Sequence, residues 1–428
     1  MIGGEAGPAV PGRDLRPLLL VPIGVAAGIA AIFLPHMVGG GSLALAADYR
    51  RYYAATRFLL AGRNPYEQGS LLAAEQHLRS LSAVVNRGAG GFVLLPFALW
   101  FLLPVALLPY WLSYFAFALL SVAGIAMAVA LMARGLGWHH WWAPGVAAAV
   151  WWPVLWGRLL GQLDFLILLG VMGACWLSAR HRPFTAGVFL VVVWIQPELA
   201  WIAVPGLGLA LWDDRRAVAR MAAGFAGASL LMFLITALEP GSLLHAWWLN
   251  TFSFIHHGVA GQGQLLGLGA MVQMATLPGS ALHGVTSVVS LAAACLGLLL
   301  AALVAVRLRL LRQPDPFGSL SRLTLPVFLP LAIWLEFAPY GHPENAILLL
   351  PLVVLVVGPD GALIAQSRWR MAMIVAFGLL TELATGTILF PDLMPVATLC
   401  LLAPAAATWL ARSPVRQPSV PTAVQFGS

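Results

Sequence analysis

The chain has 428 residues, of which 61% are hydrophobic and only 9% charged. A soluble domain carries roughly a quarter charged residues, so composition excludes a soluble globular protein and points to a polytopic membrane protein. The net charge of +7 rests on arginine alone, since the sequence contains no lysine. In a membrane protein such an excess marks cytoplasmic loops rather than a nucleic-acid surface, and arginine-only usage points to a GC-rich bacterial coding sequence.

Residues 1–14 read as a Gly/Pro-rich cytoplasmic tail and 17–38 as the first span. Arg13 and Arg16 place the N-terminus inside, so residues 39–90 face outward. A signal peptide ending at Ala44-Leu45-Ala46-Ala47 is the other reading of this segment. A glycine-rich stretch separates that site from the apolar run, however, which favours a retained helix.

The first outer loop carries the most polar stretch of the chain, Asp48 through Tyr66. As a helix it places Asp48, Arg51, Tyr52, Ala55 and Leu59 on one side, and Gly62 and Pro65 end it. Asp48 then has two readings, an N-cap of that helix or a carboxylate held at the membrane face for chemistry. A second amphipathic piece is predicted over about 70–82, with Leu71, Leu78 and Leu81 together.

Apolar runs follow at about 91–109, 111–133, 143–156, 162–179, 184–197, 198–212 and 217–238. A second outer loop at about 239–264 carries Trp247, Trp248, His256 and His257. Runs at about 265–278, 283–306, 323–339, 343–357, 370–390 and 393–411 complete a bundle of about twelve spans, with 413–428 as a second cytoplasmic tail. Counting every run between Asp48 and Arg180 as a crossing gives the wrong parity for the positive-inside rule. Either 91–109, broken by Pro96, Pro104 and Pro109, or 143–156 is expected to stop short. No internal repeat or soluble domain is evident, so the chain reads as one membrane domain.

Three polar hinges interrupt the apolar sequence, and the topology puts all of them on the Asp48 side. Arg158 to Asp164 holds an arginine that the positive-inside rule does not call for, and Gln162 lies beside it. Arg158 can clamp an anionic phosphate, snorkel from a helix end, or pair with Asp164. Ile195-Gln196-Pro197-Glu198 breaks a long apolar stretch and exposes Gln196 and Glu198, either for function or with Glu198 as a helix-end cap. Ala338-Pro339-Tyr340-Gly341-His342-Pro343-Glu344-Asn345 holds a histidine between prolines, suited to a phosphate or a sugar hydroxyl or simply to a turn. Asp213-Asp214, flanked by arginines, reads as a solvated loop. His139-His140 and His256-His257 lack a third ligand at metal spacing, and Cys175, Cys295 and Cys400 read as small core residues. There is no P-loop and no dinucleotide fingerprint.

The pattern resembles the family-87 membrane glycosyltransferases of the GT-C superfamily. It does so through Asp48, Tyr52-Tyr53, Leu59-Leu60-Ala61-Gly62 and Asn64-Pro65-Tyr66. Further likenesses are Pro96-Phe97-Ala98-Leu99 to Leu107-Leu108-Pro109-Tyr110, Gly161-Gln162, Ala186-Gly187 to Gln196-Pro197, and Pro339 to His342 before Leu348-Leu349-Leu350-Pro351. The family usually carries lysine where this chain has Gln196, and a denser histidine/acidic pattern in the late loop. The resemblance implies an all-α polytopic GT-C bundle in a bacterial inner membrane, with the active site facing the periplasm. It implies inverting transfer of a hexose, mannose-like, from a polyprenyl-phosphate donor to a lipid or glycan acceptor. Asp48 would be the general base, and Arg51, Tyr52, Arg158, Gln162, Gln196 and His342 would hold substrate, with no metal or other cofactor and no obligate protein partner. The alternative class is a transporter or flippase of lipid-linked sugars, which would place polar breaks at the midplane and show repeats. A scaffold with a decayed site is the third reading.

Overall fold

The computed structural model of the chain describes residues 46–78, 92–138, 140–238, 243–257, 286–310, 319–338, 343–357, 376, 380, 395–400 and 402–403. The predicted first span, both tails, the run at 265–278, most of those at 370–390 and 393–411, and His342 lie outside them. Among the described residues every regular element is helical. Helices α1 (Ala47–Leu60) and α2 (Gln68–His77) fall within the predicted first outer loop. The bundle continues with α3 (Tyr110–Gly135), α4 (Trp142–Val150), α5 (Trp152–Leu160), α6 (Asp164–Ala179), α7 (Pro183–Leu190) and α8 (Pro197–Leu211). It closes with α9 (Arg215–Leu238), α10 (Leu243–His257), α11 (Thr286–Leu310), α12 (Ser319–Phe337) and α13 (Leu350–Val357). Tyr110–Gly135, Arg215–Leu238 and Leu291–Leu308 are long and apolar enough to cross a bilayer. Pro96–Ala106, Asp164–Ala179, Pro183–Ile195, Pro197–Leu211 and Asn345–Leu355 are shorter apolar helices.

The run at 91–109 is not one α-helix: Pro96–Leu102 folds as a 3₁₀ segment followed by a single α turn, Leu103–Ala106. Prolines at the start of both pieces remove helix donors, so no continuous span forms. Both flanks of the run are tied to the first-loop segment. Tyr66 Oη donates to the Leu94 carbonyl (2.6 Å), and Tyr53 Oη donates to that of Leu108 (3.0 Å). The run therefore leaves from and returns to the same end of the bundle. Helices α4 and α5, broken at the extended Trp151, together retrace α3. Gly145 in α4 packs on the Ala126 backbone, and the end of α5 returns to Tyr114, whose hydroxyl donates to the Arg158 and Leu159 carbonyls (3.1 and 3.2 Å).

With little hydrophobic drive between helices in lipid, close approach does the packing. At Gly187 and Gly224 an added Cβ would overlap the Met221 and Phe184 carbonyl oxygens, so α7 and α9 meet backbone to backbone. At the far end Arg322 pairs with Asp213 (3.3 Å), and Asp214 accepts from the Ala217 amide (3.0 Å), which caps α9. The acidic pair is a loop feature, as its flanking arginines suggested. Cys175 is buried as expected, but Cys295 is exposed on α11, where an apolar position faces outward.

Helix α1 differs in detail from the predicted piece. Its N-cap is Ala46, in the left-handed region, so Asp48 lies inside the first turn and does not cap. The predicted stripe Asp48, Arg51, Tyr52 is half-buried, while Tyr49 and Tyr53 are buried. Tyr49 lies 4.7 Å, centroid to centroid, from Phe117 and bonds Ser113 through its hydroxyl. The Ala46 amide donates to the Leu159 carbonyl (2.6 Å). Helix α2 begins earlier than predicted and ends at His77, burying Leu71 and Glu75.

Gly161 follows α5 at φ 85°, and a Cβ there would overlap Tyr49. Gly62 also has positive φ but open space around it. Gly62→Ala should therefore cost about 1 kcal/mol of backbone strain. Gly161→Ala should cost roughly 1–3 kcal/mol more, because the Tyr49 seat must move. Thermal midpoints of the purified variants in detergent check the difference.

Candidate functional site

The site forms where α1 lies across the hinge between α5 and α6. Gln162 joins the two: its Nε2 donates to Asp48 Oδ2 (2.7 Å), and its Oε1 accepts from Tyr52 Oη (3.1 Å). Tyr52 thereby fixes which way the amide faces, and the amide fixes the carboxylate. Asp48 keeps a half-open surface although its carboxyl is surrounded by protein. Burial raises its pKa from 3.8 to about 6. The Arg51 charge and the Gln162 bond oppose the rise, and the charges of Glu75 and Asp164 add to it.

A second chain of the same design lies beside it. Asp164, the first residue of α6, is fully buried, and its Oδ1 accepts from Gln196 Nε2 (2.8 Å) and Asn345 Nδ2 (2.7 Å). Asn345 Nδ2 also reaches Gln196 Oε1 (3.4 Å). Twice, therefore, a glutamine donates to an aspartate while its own oxygen is held by another donor. The two chains are linked by the two-residue step from Gln162 to Asp164.

Of the sequence candidates, Asp48, Tyr52 and Gln162 are in direct contact. Arg51 is on the same face and pairs with Glu75 (Nε to Oε1, 3.1 Å). Gln196 is half-buried at the turn before α8, and Glu198 is exposed in its first turn. Arg158 is 4% exposed, its guanidinium 5.1 Å above the Phe165 ring and its charge acting on Asp164. His342 lies outside the described residues, three positions before Asn345. The hinges at Gln162 and Gln196, Asn345 and the Asp48 helix thus meet at one end of the bundle, and α10 joins them. There α10 places Asn250 against Gln68 and the Phe92 carbonyl, and Trp247 Nε1 donates to the Val93 carbonyl (2.8 Å). Sequence reasoning placed Asn345 at the end of the third hinge without giving it a role, and it did not single out Glu75. Glu75 had a readable signal, a carboxylate four residues after Leu71 on the apolar side of its helix.

No group of three His, Cys, Asp or Glu residues suited to a metal occurs among the described residues. The carboxylate of a half-buried aspartate, raised in pKa, oriented by an amide and bordered by further amide donors, can accept a proton from a hydroxyl. Its neighbours can bind polar oxygens of a substrate.

Glycosyltransferase family 87 matches residues 92–334, a span that contains Arg158, Gln162, Asp164 and Gln196. The chain belongs to glycosyltransferase family 87. It is accordingly a membrane glycosyltransferase, taking a sugar donor and a glycan or lipid acceptor. No curated protein and no solved structure matches it.

Removing one partner of a buried charge pair typically costs about 3–5 kcal/mol. Asp164→Ala, which leaves the Arg158 charge buried beside the amides, should show that loss. Asp164→Asn, which keeps an acceptor oxygen, should lose less. Thermal unfolding of the family-87 protein in detergent measures both.

Proposed function

We propose that the chain transfers a hexose, mannose-like, from a polyprenyl-phosphate donor to a lipid or glycan acceptor. Transfer takes place at the periplasmic side of a bacterial inner membrane, by single displacement with inversion. The observation that carries this is the Tyr52–Gln162–Asp48 chain, which orients the carboxylate of a half-buried aspartate whose pKa of about 6 suits a base at neutral pH. The acceptor hydroxyl gives its proton to Asp48 as its oxygen bonds to the anomeric carbon. The bond from that carbon to the phosphate oxygen breaks, and its electron pair leaves with the phosphate.

A phosphate leaving group needs donors and positive charge rather than an acid. Gln196, Gln162 and His342 fill that role in this reading, with Arg158 supplying field from behind Asp164. Arg51 and Tyr52 border the acceptor. No metal or other cofactor is invoked. Arginines gathered at the opposite end, Arg180, Arg182, Arg215, Arg216 and Arg322, support an outward-facing site.

The short helices support a lipid-borne donor. Pro183–Ile195 and Pro197–Leu211 each rise about 22 Å, less than the roughly 30 Å of a hydrocarbon core. With their arginine ends at one surface, their junction at Gln196 stops inside the apolar layer, level with the base of a lipid headgroup. Counting such short paired segments as crossings keeps the total near twelve.

Asp48→Asn should lower transfer from radiolabelled polyprenyl-phosphate hexose by at least about a hundredfold, with unchanged abundance in the membrane. In the wild type the rate should fall about tenfold per pH unit below pH 6, as Asp48 takes up its proton. The raised pKa also fixes the sign for stability. The folded state favours the neutral carboxyl, so the cost of its charge is absent below about pH 4, grows to pH 6 and is full above. Asp48→Asn should therefore melt higher than wild type at pH 8 and level with it at pH 4.

A further inference from the structure

Asp48 and Arg51 are three residues apart on α1, a spacing at which opposite charges ordinarily pair. A paired carboxylate is a poor base, because the cation stabilises its charged form. In this structure the guanidinium is taken elsewhere. Arg51 Nε donates to Glu75 Oε1 (3.1 Å), and among the described residues Asp48 receives its hydrogen bond from Gln162 instead. Glu75 is 2% exposed, on the face of α2 that also buries Leu71. A carboxylate at such a position needs a reason, since an apolar residue would pack there without cost. Helix α2 is itself pinned at its start by Gln68 to Asn250 of α10, so Glu75 cannot drift toward its partner.

We propose that Glu75 is a positioning residue that withholds the Arg51 guanidinium from Asp48 and so keeps the carboxylate basic. This rests on the reading of Asp48 as the general base. The charged groups acting on Asp48 are Arg51 from its own helix, Glu75 from α2 and Asp164 from α6. The Arg50 charge acts on Tyr110, and that of Arg158 on Asp164. Removing the Glu75 charge has two consequences of the same sign. The repulsion it exerts on Asp48 disappears, and Arg51 becomes able to turn toward Asp48. Both ease ionisation of Asp48.

The test compares wild type, Glu75→Gln and Glu75→Asp in two measurements on purified full-length protein. In transfer from a polyprenyl-phosphate hexose, Glu75→Gln should move the acid limb down by about one pH unit or more and lower the plateau kcat. The donor KM should stay unchanged. Glu75→Asp, which keeps the charge, should restore the limb most of the way. In thermal melts, the gain that Asp48→Asn shows at pH 8 over pH 4 should shrink in the Glu75→Gln background, a readout that needs no activity. A limb and a melt difference that both stay put in folded Glu75→Gln overturn the proposal. Full transfer by Asp48→Asn instead overturns the reading beneath it, and the melts then still report whether Glu75 governs Asp48.

Discussion

A single side-chain amide ties the amphipathic first-loop helix to the membrane bundle. Gln162 holds Asp48 with its nitrogen while Tyr52 holds its oxygen, and the hinge that carries it can approach α1 because Gly161 has no side chain. The rest of the site follows from that seat. Tyr49 packs below it against Phe117 and Ser113, and Asp164 begins the next helix two residues on. Gln196 and Asn345 then converge on that second carboxylate. Two surface-facing amides, each locked by a carboxylate on one side and a donor on the other, make a rigid polar floor in an apolar surrounding.

Such a floor is costly, and the structure shows where the cost is offset. Asp164 is fully buried, and two amide donors and the charge of Arg158 offset part of that cost. Asp48 is compensated only in part. One amide bond and a distant cation leave its charged form strained, and its pKa near 6 records that strain. What distinguishes Asp48 is its place on the half-buried face of α1, where the Tyr52–Gln162 chain orients a carboxyl whose pKa lies within reach of neutral pH.

The location of the site was legible in the sequence because polar residues in a chain so poor in charge stand out. Asp48, Gln162 and Gln196 were visible as breaks in apolar runs, and the positive-inside rule placed those breaks on one side. Two kinds of information were not legible. Apolarity does not distinguish a crossing from a segment that turns back, so 91–109 stayed ambiguous until the hydrogen bonds of Tyr66 and Tyr53 fixed both its flanks. Partnerships over long sequence separation were also hidden. The bonds from Asn345 to Asp164 and from Arg51 to Glu75 join residues on elements that only the fold brings together. The capping reading of Asp48 failed by a local margin, since Ala46 in the left-handed region starts the helix two residues earlier.

The most direct measurement is the anomeric configuration of the sugar in the product, read by NMR after transfer by the purified protein from a polyprenyl-phosphate hexose of known configuration. One carboxylate removing a proton from the acceptor during a single displacement predicts complete inversion. A product that keeps the configuration of the donor would require a second displacement, and would contradict the role given to Asp48.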